Sequence, residues 1–483
     1  MVCRRGYCLA YVIFLVLFWL VLWHKTAPNE GSSSPILQDA DYHIPDFDGT
    51  STSCRCGRSP EMNQWPPLHV PQDLVCPDST YDLTLCVSVN SSASLMPTML
   101  HERLKWLEKS GLATGDKRWD IDTEGKEKNA LLRWFLLEGY KQDGSEDGYQ
   151  MYPLAINMTN TIKAITHGMP APHAPITNPN IRLLRVSRTA CAPKSEESTE
   201  EERYDLVVVY RSTVYNFEDR ERIRNATRDL PSGMRVVFMV GLPRTDGGGN
   251  LYHMNGGFDL RLPERAGAAA KSWAHRSAEA RRRLFAESDL YGDLVIGDYT
   301  DTYVNLTYKL ITCHRWASAF CKDKSDAFLF LDDDFDFNAN SLLTYMRGLA
   351  RPKRRQLLSG PMMYWRRVFR PFKNADRNKW AITMREVPWT RLPPYTLGSA
   401  TLIGAEVLTE LVVAEAYTRF LWVDDAFLGF VVAKLPFRNF QNMKGFYLES
   451  TNNKKALISH VPFKVSLQWF EDNAKQLFNS LRL

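Results

Sequence analysis

The chain has 483 residues, of which 44% are hydrophobic and 24% charged, with a formal net charge of +5. These are ordinary globular values, and the length allows a sizeable core and more than one folding unit. The basic clusters Arg281-Arg282-Arg283 and 351–355 are short and local, so composition argues against a nucleic-acid-binding surface.

The first five residues include Arg4 and Arg5, and residues 6–23 are apolar and uncharged. That run is near the lower limit for a membrane-spanning helix, which needs about 20 residues. It ends in bulky Leu22 and Trp23 rather than a small-residue cleavage site. We read 1–5 as a cytosolic tail and 6–23 as a retained signal anchor of a type II membrane protein. A short span suits the thinner membranes of the early secretory pathway, so a Golgi membrane with a lumenal domain is expected.

Residues 24–75, rich in Ser, Pro, Asp and Gly, are expected to form a stem. Residues 76–203 form an N-terminal lumenal region with helical patterns at 98–111 and 125–141. It is followed by a linker made of a Pro- and Asn-rich stretch, 168–180, and a charge run, 194–203. Nine cysteines are present, two of them, Cys3 and Cys8, in or beside the span. The seven that remain can form disulfides in an oxidising lumen, and the odd number leaves at least one over. Cys54-Arg55-Cys56 lacks the second pair that a zinc site would need. Sequons at Asn90, Asn157, Asn225 and Asn305 are compatible with N-glycosylation.

From residue 204 the pattern alternates. Strands are predicted at 204–210, 234–240, 294–296 and 327–331, and helices at 217–229, 276–288 and 305–321. Repeated βα alternation predicts an α/β domain over 204–483 with a mostly parallel sheet. Gly247-Gly248-Gly249 marks a loop without the spacing of a phosphate loop.

The most informative segment is 326–338, where the apolar run Ala327-Phe328-Leu329-Phe330-Leu331 stops at Asp332, Asp333 and Asp334. Adjacent carboxylates repel and resist desolvation, and a hard divalent cation such as Mn²⁺ or Mg²⁺ removes that cost. In open α/β sheets ligands also sit at the carboxyl ends of strands. The alternative is a solvated acidic turn before a helix at 339–350 capped by Asn338.

Several segments, taken in order, resemble the β-1,3-galactosyltransferase family, with its N-acetylglucosaminyl and Fringe-like branches. They are Arg220, Ile223 and Arg224; Phe238-Met239-Val240-Gly241; and the block Glu287, Tyr291-Gly292-Asp293-Leu294, Asp298, Asp301, Tyr303, Asn305-Leu306-Thr307 and Lys309, continued by Trp316 and Cys321. Asp332-Asp333-Asp334, Lys379-Trp380, Pro393-Pro394-Tyr395 with Gly398, and Asp424-Asp425-Ala426-Phe427-Leu428-Gly429 complete the series across 204–470. The chain departs from the pattern at Ala226-Thr227, at Phe335-Asp336-Phe337-Asn338, at Asp424 in place of Glu, and at Thr396-Leu397, where the family has a cysteine. It therefore resembles a divergent member.

The resemblance implies a GT-A-like nucleotide-sugar-binding domain and an inverting transfer of a hexose from a UDP-sugar to a glycan in β-1,3 linkage. Galactose is the first expectation, N-acetylhexosamines the next. It implies Asp425 as the catalytic base, and Arg220, Arg224, Asp332 and Asp333 on the donor side. Asp334, Asp332 and His460 would hold the metal, and Tyr395, Gly398, Trp422, Phe427 and Gly429 would meet the acceptor. Other readings stand beside these roles: His460 as structural, Trp422 and Phe427 as core, Asp425 as a helix cap. A lectin-like or inactive homologue should have lost the aspartates or the base, and a two-metal phosphohydrolase should carry further Asp or His clusters. Neither signature is present in the sequence.

Overall fold

The computed structural model describes residues 81–83, 85, 87, 156–192, 203–364, 366–383, 386–387, 391–435, 440–447 and 456–461. The expected anchor, the stem, the helical patterns at 98–111 and 125–141 and the sequon at Asn90 lie outside these residues. Among the described residues no helix is long and apolar enough to cross a membrane.

The strands in chain order are β1 (Tyr81–Asp82), β2 (Arg182–Arg185), β3 (Leu206–Arg211), β4 (Met234–Leu242), β5 (Leu251–Met254), β6 (Phe258–Arg261), β7 (Leu294–Thr300) and β8 (Ala327–Asp332). They continue with β9 (Phe335–Phe337), β10 (Leu358–Gly360), β11 (Met362–Met363), β12 (Tyr395–Thr396), β13 (Ala400–Gly404), β14 (Gln441–Asn442), β15 (Phe446–Tyr447) and β16 (Ile458–His460). The helices are α1 (Met158–Thr166), α2 (Phe217–Ala226), α3 (Glu264–Trp273), α4 (Ser277–Tyr291), α5 (Leu306–Trp316), α6 (Ala339–Arg347), α7 (Arg351–Arg355), α8 (Ala405–Ala416) and α9 (Asp424–Ala433).

A sheet of nine described strands runs in the order β1-β2-β7-β4-β3-β8-β13-β10-β14. Its centre, β7-β4-β3-β8, is parallel. Every residue of β3 is buried, which is what a strand covered on both faces requires. Val207 and Val209 pack into one core layer while Leu206, Val208 and Tyr210 pack into the other. Helix α6 starts where Asn338 predicted it: the Asn338 side chain accepts from Ser341 N at 3.0 Å.

The mostly parallel expectation holds for the centre and not for the flanks. Strand β13 runs antiparallel to β8, with Ala400 opposite Leu331. The chain reaches β13 from the excursion 361–399 rather than from a helical crossover, so it enters at the carboxyl end of β8 and runs back. Asp332 N donates to Ser399 O at 3.0 Å, which puts the 397–399 turn beside the aspartates.

Residue 204 is not an edge of the sheet, because β1 and β2 join it upstream. Nor is 168–180 a linker. Ala171 and Thr177 are buried, and Arg315, on α5, donates to the carbonyls of Leu83 and Pro179 at 3.1 and 2.9 Å. Pro and Asn there reflect irregular backbone fixed by a buried guanidinium. Cys191 and Cys321 form a disulfide that ties this upstream segment to the turn after α5, and Cys313 is free and buried.

Candidate active site

A cavity of about 520 Å³ opens at the carboxyl ends of β3 and β8. The parallel register sets Arg211 beside Asp332, so each buried strand closes with one charge. Arg211 Nη2 donates to Asp332 Oδ1 at 2.7 Å and to the Gly398 carbonyl, and Nη1 donates to Asp424 Oδ2 at 2.8 Å. Its side chain is only 4% exposed. One guanidinium thus joins the aspartate that ends β8, the turn at Gly398 and the first residue of α9. A Cβ on Gly398 would come within 3.3 Å of Asp424 Oδ2, so the close approach uses the missing side chain.

The three aspartates have different partners, because β8 ends at Asp332 and Asp333 and Asp334 form the turn before β9. Asp333 Oδ2 accepts from Ser212 Oγ at 2.7 Å, Asn216 Nδ2 at 2.9 Å and Thr213 N at 3.3 Å, fixing the loop after β3. Asp334 is half-exposed on the cavity, with His460 Nε2 at 3.6 Å from its Oδ2. Strand β16 sets that distance: His460 pairs with Phe335, and Val461 N donates to Asp334 O at 2.7 Å. The neighbouring Asp334 carboxylate raises the His460 pKa, while burial and the charge of Arg265 pull the other way. Burial and the carboxylates of Asp334, Asp424 and Asp333 push Asp332 up to about 7 against the lowering effect of Arg211.

Among the described residues no three His, Cys, Asp or Glu side chains converge as a protein-only metal cage. Mg²⁺ and Mn²⁺ bound with substrate phosphates commonly take only one or two carboxylates from the protein. The open Asp334–His460 pair, beside Asp332, fits that donor set.

Arg220 and Arg224 do not line the cavity, which corrects their expected donor contacts. Arg220 is fully buried, donating to Glu287 Oε1 and Oε2 at 2.8 and 2.7 Å and to Thr213 O at 2.8 Å. Arg224 grips Asp293 through Nε and Nη2 at 2.7 and 3.0 Å and lies against the Tyr291 ring. Against the opposing effect of burial, the two arginines hold Glu287 below the ordinary carboxylate range. Arg220 therefore braces the 212–214 loop from behind, and Arg224 shares its partner Glu287. Asp301 and Lys309 brace the loop from the side. Asp301 Oδ2 accepts from Val214 N and Gly241 N at 3.0 Å each, and Lys309 Nζ lies 2.7 Å from Asp301 Oδ1 and from Ser212 O.

On the opposite wall Asp425 occupies the first turn of α9, whose N-cap is Val423. Its Oδ1 accepts from Ala426 N at 2.7 Å. Burial and neighbouring Asp424 push its pKa up to about 7, a range suited to taking a proton near neutrality. Tyr303, Lys379, exposed Trp380 and the edge of Trp422 complete this side of the cavity. Trp422 is itself 1% exposed, its Nε1 donating to Ala381 O at 3.2 Å, so it packs more than it presents. Tyr395 does not line the cavity, but burial and the Asp425 charge raise its phenol to about 12.

Phe427 and Gly429 are corrections. Phe427 faces the core against Phe420, on the buried side of α9. A Cβ on Gly429 would lie 2.9 Å from Tyr395 Cβ, so this glycine lets α9 approach the 393–395 segment rather than a sugar. Asn305 is also a correction as a glycosylation site: it is 6% exposed and its Nδ2 donates to Thr300 O at 2.9 Å. Asn157 and Asn225 are exposed. The residue that sequence reasoning missed is Arg211. Its signal was available, since an arginine closes the buried strand 206–211 as an aspartate closes 327–332.

A mixed α/β domain with a parallel central sheet and an acidic cavity at its strand ends fits a GT-A-like domain. Residues 274–441 match the galactosyltransferase family. The chain is 30% identical over 149 residues to a Drosophila melanogaster protein named beta-1,3-galactosyltransferase brn, covering 31% of this chain and 44% of that one. It is 29% identical over 238 residues to the human UDP-GlcNAc:betaGal beta-1,3-N-acetylglucosaminyltransferase 9, covering 48% and 53%. To mouse beta-1,3-galactosyltransferase 1 it is 27% identical over 156 residues, covering 32% and 46%. The chain spans about half the length of the curated relatives it matches. Over residues 274–441 it is similar to the galactosyltransferase family, and its identity to these relatives is 30% or less.

Proposed function

We propose that the protein is an inverting, metal-dependent glycosyltransferase that moves a hexose from a UDP-sugar to a glycan acceptor in β-1,3 linkage. The printed names of the relatives point to galactose or N-acetylglucosamine as the hexose. The observation that carries the reading is the Arg211 bridge, which holds the donor-side Asp332 and the acceptor-side Asp424–Asp425 turn on one cavity.

Asp425 accepts the proton of the acceptor hydroxyl as its oxygen forms a bond to the anomeric carbon. The bond from that carbon to the diphosphate breaks on the opposite face, and its electron pair leaves with UDP. One displacement inverts the configuration and needs no covalent intermediate. Arg211 keeps Asp424 and Asp332 in place, and Asp333 holds the 213–216 loop against the nucleotide. Asp334, Asp332 and His460 would hold the divalent ion, which when bound neutralises charge on the leaving diphosphate.

The location belongs to the same reading: a single-pass type II Golgi membrane protein with its catalytic domain in the lumen. The Cys191–Cys321 disulfide and the exposed sequons at Asn157 and Asn225 support it. Incubating the purified protein with Mn²⁺, a panel of UDP-sugars and a panel of glycan acceptors tests the activity. Transfer from one donor is expected, and no transfer or UDP release from any donor would refute it.

A further inference from the structure

Between β4 and α4 the chain makes an excursion, 243–276, that carries the β5–β6 hairpin and α3. It forms a wall of the cavity through Tyr252, Leu262, Arg265 and Ala266. It is also fastened to the acceptor-side loop: Asn378 Nδ2 donates to Asp259 O at 2.7 Å and Arg261 pairs with Asp376 at 3.1 Å.

A diphosphate in this acidic cavity needs cations, and most nearby arginines are spent on the protein. Arg211, Arg220 and Arg224 are held as described above. Arg222 donates to Asp336 Oδ1 at 2.6 Å and to Asp333 O at 3.0 Å. Arg265 differs. It lines the cavity with its side chain 24% exposed, and it pairs with Asp219 of α2. Asp219 has a second cation, Arg222 Nε, at 3.9 Å, so it keeps a countercharge if Arg265 turns away. Asp334 lines the same cavity, and His460 lies against it, near enough for the Arg265 charge to act on the imidazole.

We propose that Arg265, supplied by the 243–276 excursion, is a ligand of the donor diphosphate, exchanging Asp219 for a phosphoryl oxygen when the nucleotide binds. This rests on the UDP-sugar reading above. Arginine suits the role because its planar fork reads two phosphate oxygens at once.

Calorimetric titration of the full-length protein with UDP in Mn²⁺, and with uridine as the phosphate-free control, tests it. Arg265→Gln should weaken UDP by about 10- to 100-fold, the range for a lost charge-assisted bond, and leave uridine unchanged. Arg265→Lys should give an intermediate loss. Asp219→Asn, which removes the competing partner, should keep or tighten UDP binding. UDP binding by Arg265→Gln at the wild-type affinity would overturn the proposal. Equal weakening by Asp219→Asn and Arg265→Gln would also overturn it, marking the pair as structural. If Arg265→Gln fails to fold, Arg265→Lys and Asp219→Asn decide by the same criteria. Wild-type protein that binds no UDP would instead overturn the glycosyltransferase reading, and this inference with it.

Discussion

Replacing Arg211 by Met keeps most of the side-chain volume and removes the charge that joins the two halves of the cavity. Arg211 is 4% exposed, and its partners Asp424 and Asp332 are 12% and 38% exposed. Breaking a buried pair by removing one partner costs about 3–5 kcal/mol. The Asp332 pair is open enough to be screened and adds only about 0–1 kcal/mol. The larger share therefore falls on Asp424, left buried beside Asp425 without its cation. We expect a loss of about 3–4 kcal/mol, which at about 2–4 °C per kcal/mol for a domain of this order lowers the melting temperature by roughly 10 °C. Chemistry should change as well. Arg211 lowers the pKa of both Asp332 and Asp425, so without it the midpoint of the rate-against-pH curve moves above about 7. Arg211→Lys should fall between, because one ammonium cannot span two carboxylates and the Gly398 carbonyl. Thermal denaturation and a pH–rate profile make the check. A methionine variant that melts with wild type and keeps its pH midpoint would refute the bridging role.

Asp425→Asn should cut transfer by about 10²–10⁴-fold while UDP binding and melting survive, whereas Asp424→Asn should destabilise more, since it strips Arg211 of a buried partner. In wild type, Asp425 is raised to about 7, so transfer should climb as pH rises through 7. Its contribution to stability runs the other way. Between about 3.9 and 7 the folded state holds a proton that the unfolded state has lost, so melting temperature should fall as pH rises across that window. Removing divalent ions with a chelator should abolish UDP binding, and Mn²⁺ should restore it; undiminished binding in excess chelator would count against Asp334 and His460 as metal ligands. Asn157→Gln and Asn225→Gln should each speed gel migration of the secretory-pathway product, and Asn305→Gln should leave it unchanged.

The parts of the fold legible in the sequence were those set by local pattern. The buried runs 206–210 and 327–331 are apolar without interruption because both faces of a central strand are covered. Asn338 was legible as a cap because capping is decided within three residues. Placements made by distant chain were not. The antiparallel entry of β13 depends on the route of 361–399, and the docking of 168–180 depends on a buried Arg315 more than a hundred residues away. The site followed the same division. Asp332, Asp333 and Asp334 declared themselves as a cluster, and Asp334 and His460 do meet. Arg220, Arg224, Phe427 and Gly429 matched family motifs, but a motif does not say whether a residue touches ligand or supports what does. Burial answers that for Arg220 and Phe427, and the contacts of Arg224 with Asp293 and of Gly429 with Tyr395 answer it for the other two. Arg211 escaped notice because a single arginine at the end of a strand acquires meaning only when Asp424, 213 positions later, folds back onto it.

The stereochemistry of the product tests the central claim most directly. The purified protein, with Mn²⁺ and the α-linked UDP-sugar it accepts, should be given a defined glycan acceptor and the anomeric proton of the product read by NMR. A single displacement assisted by Asp425 predicts a β-linked product, formed by wild type and not at a comparable rate by Asp425→Asn. An α-linked product, or transfer by Asp425→Asn at the wild-type rate, would contradict it.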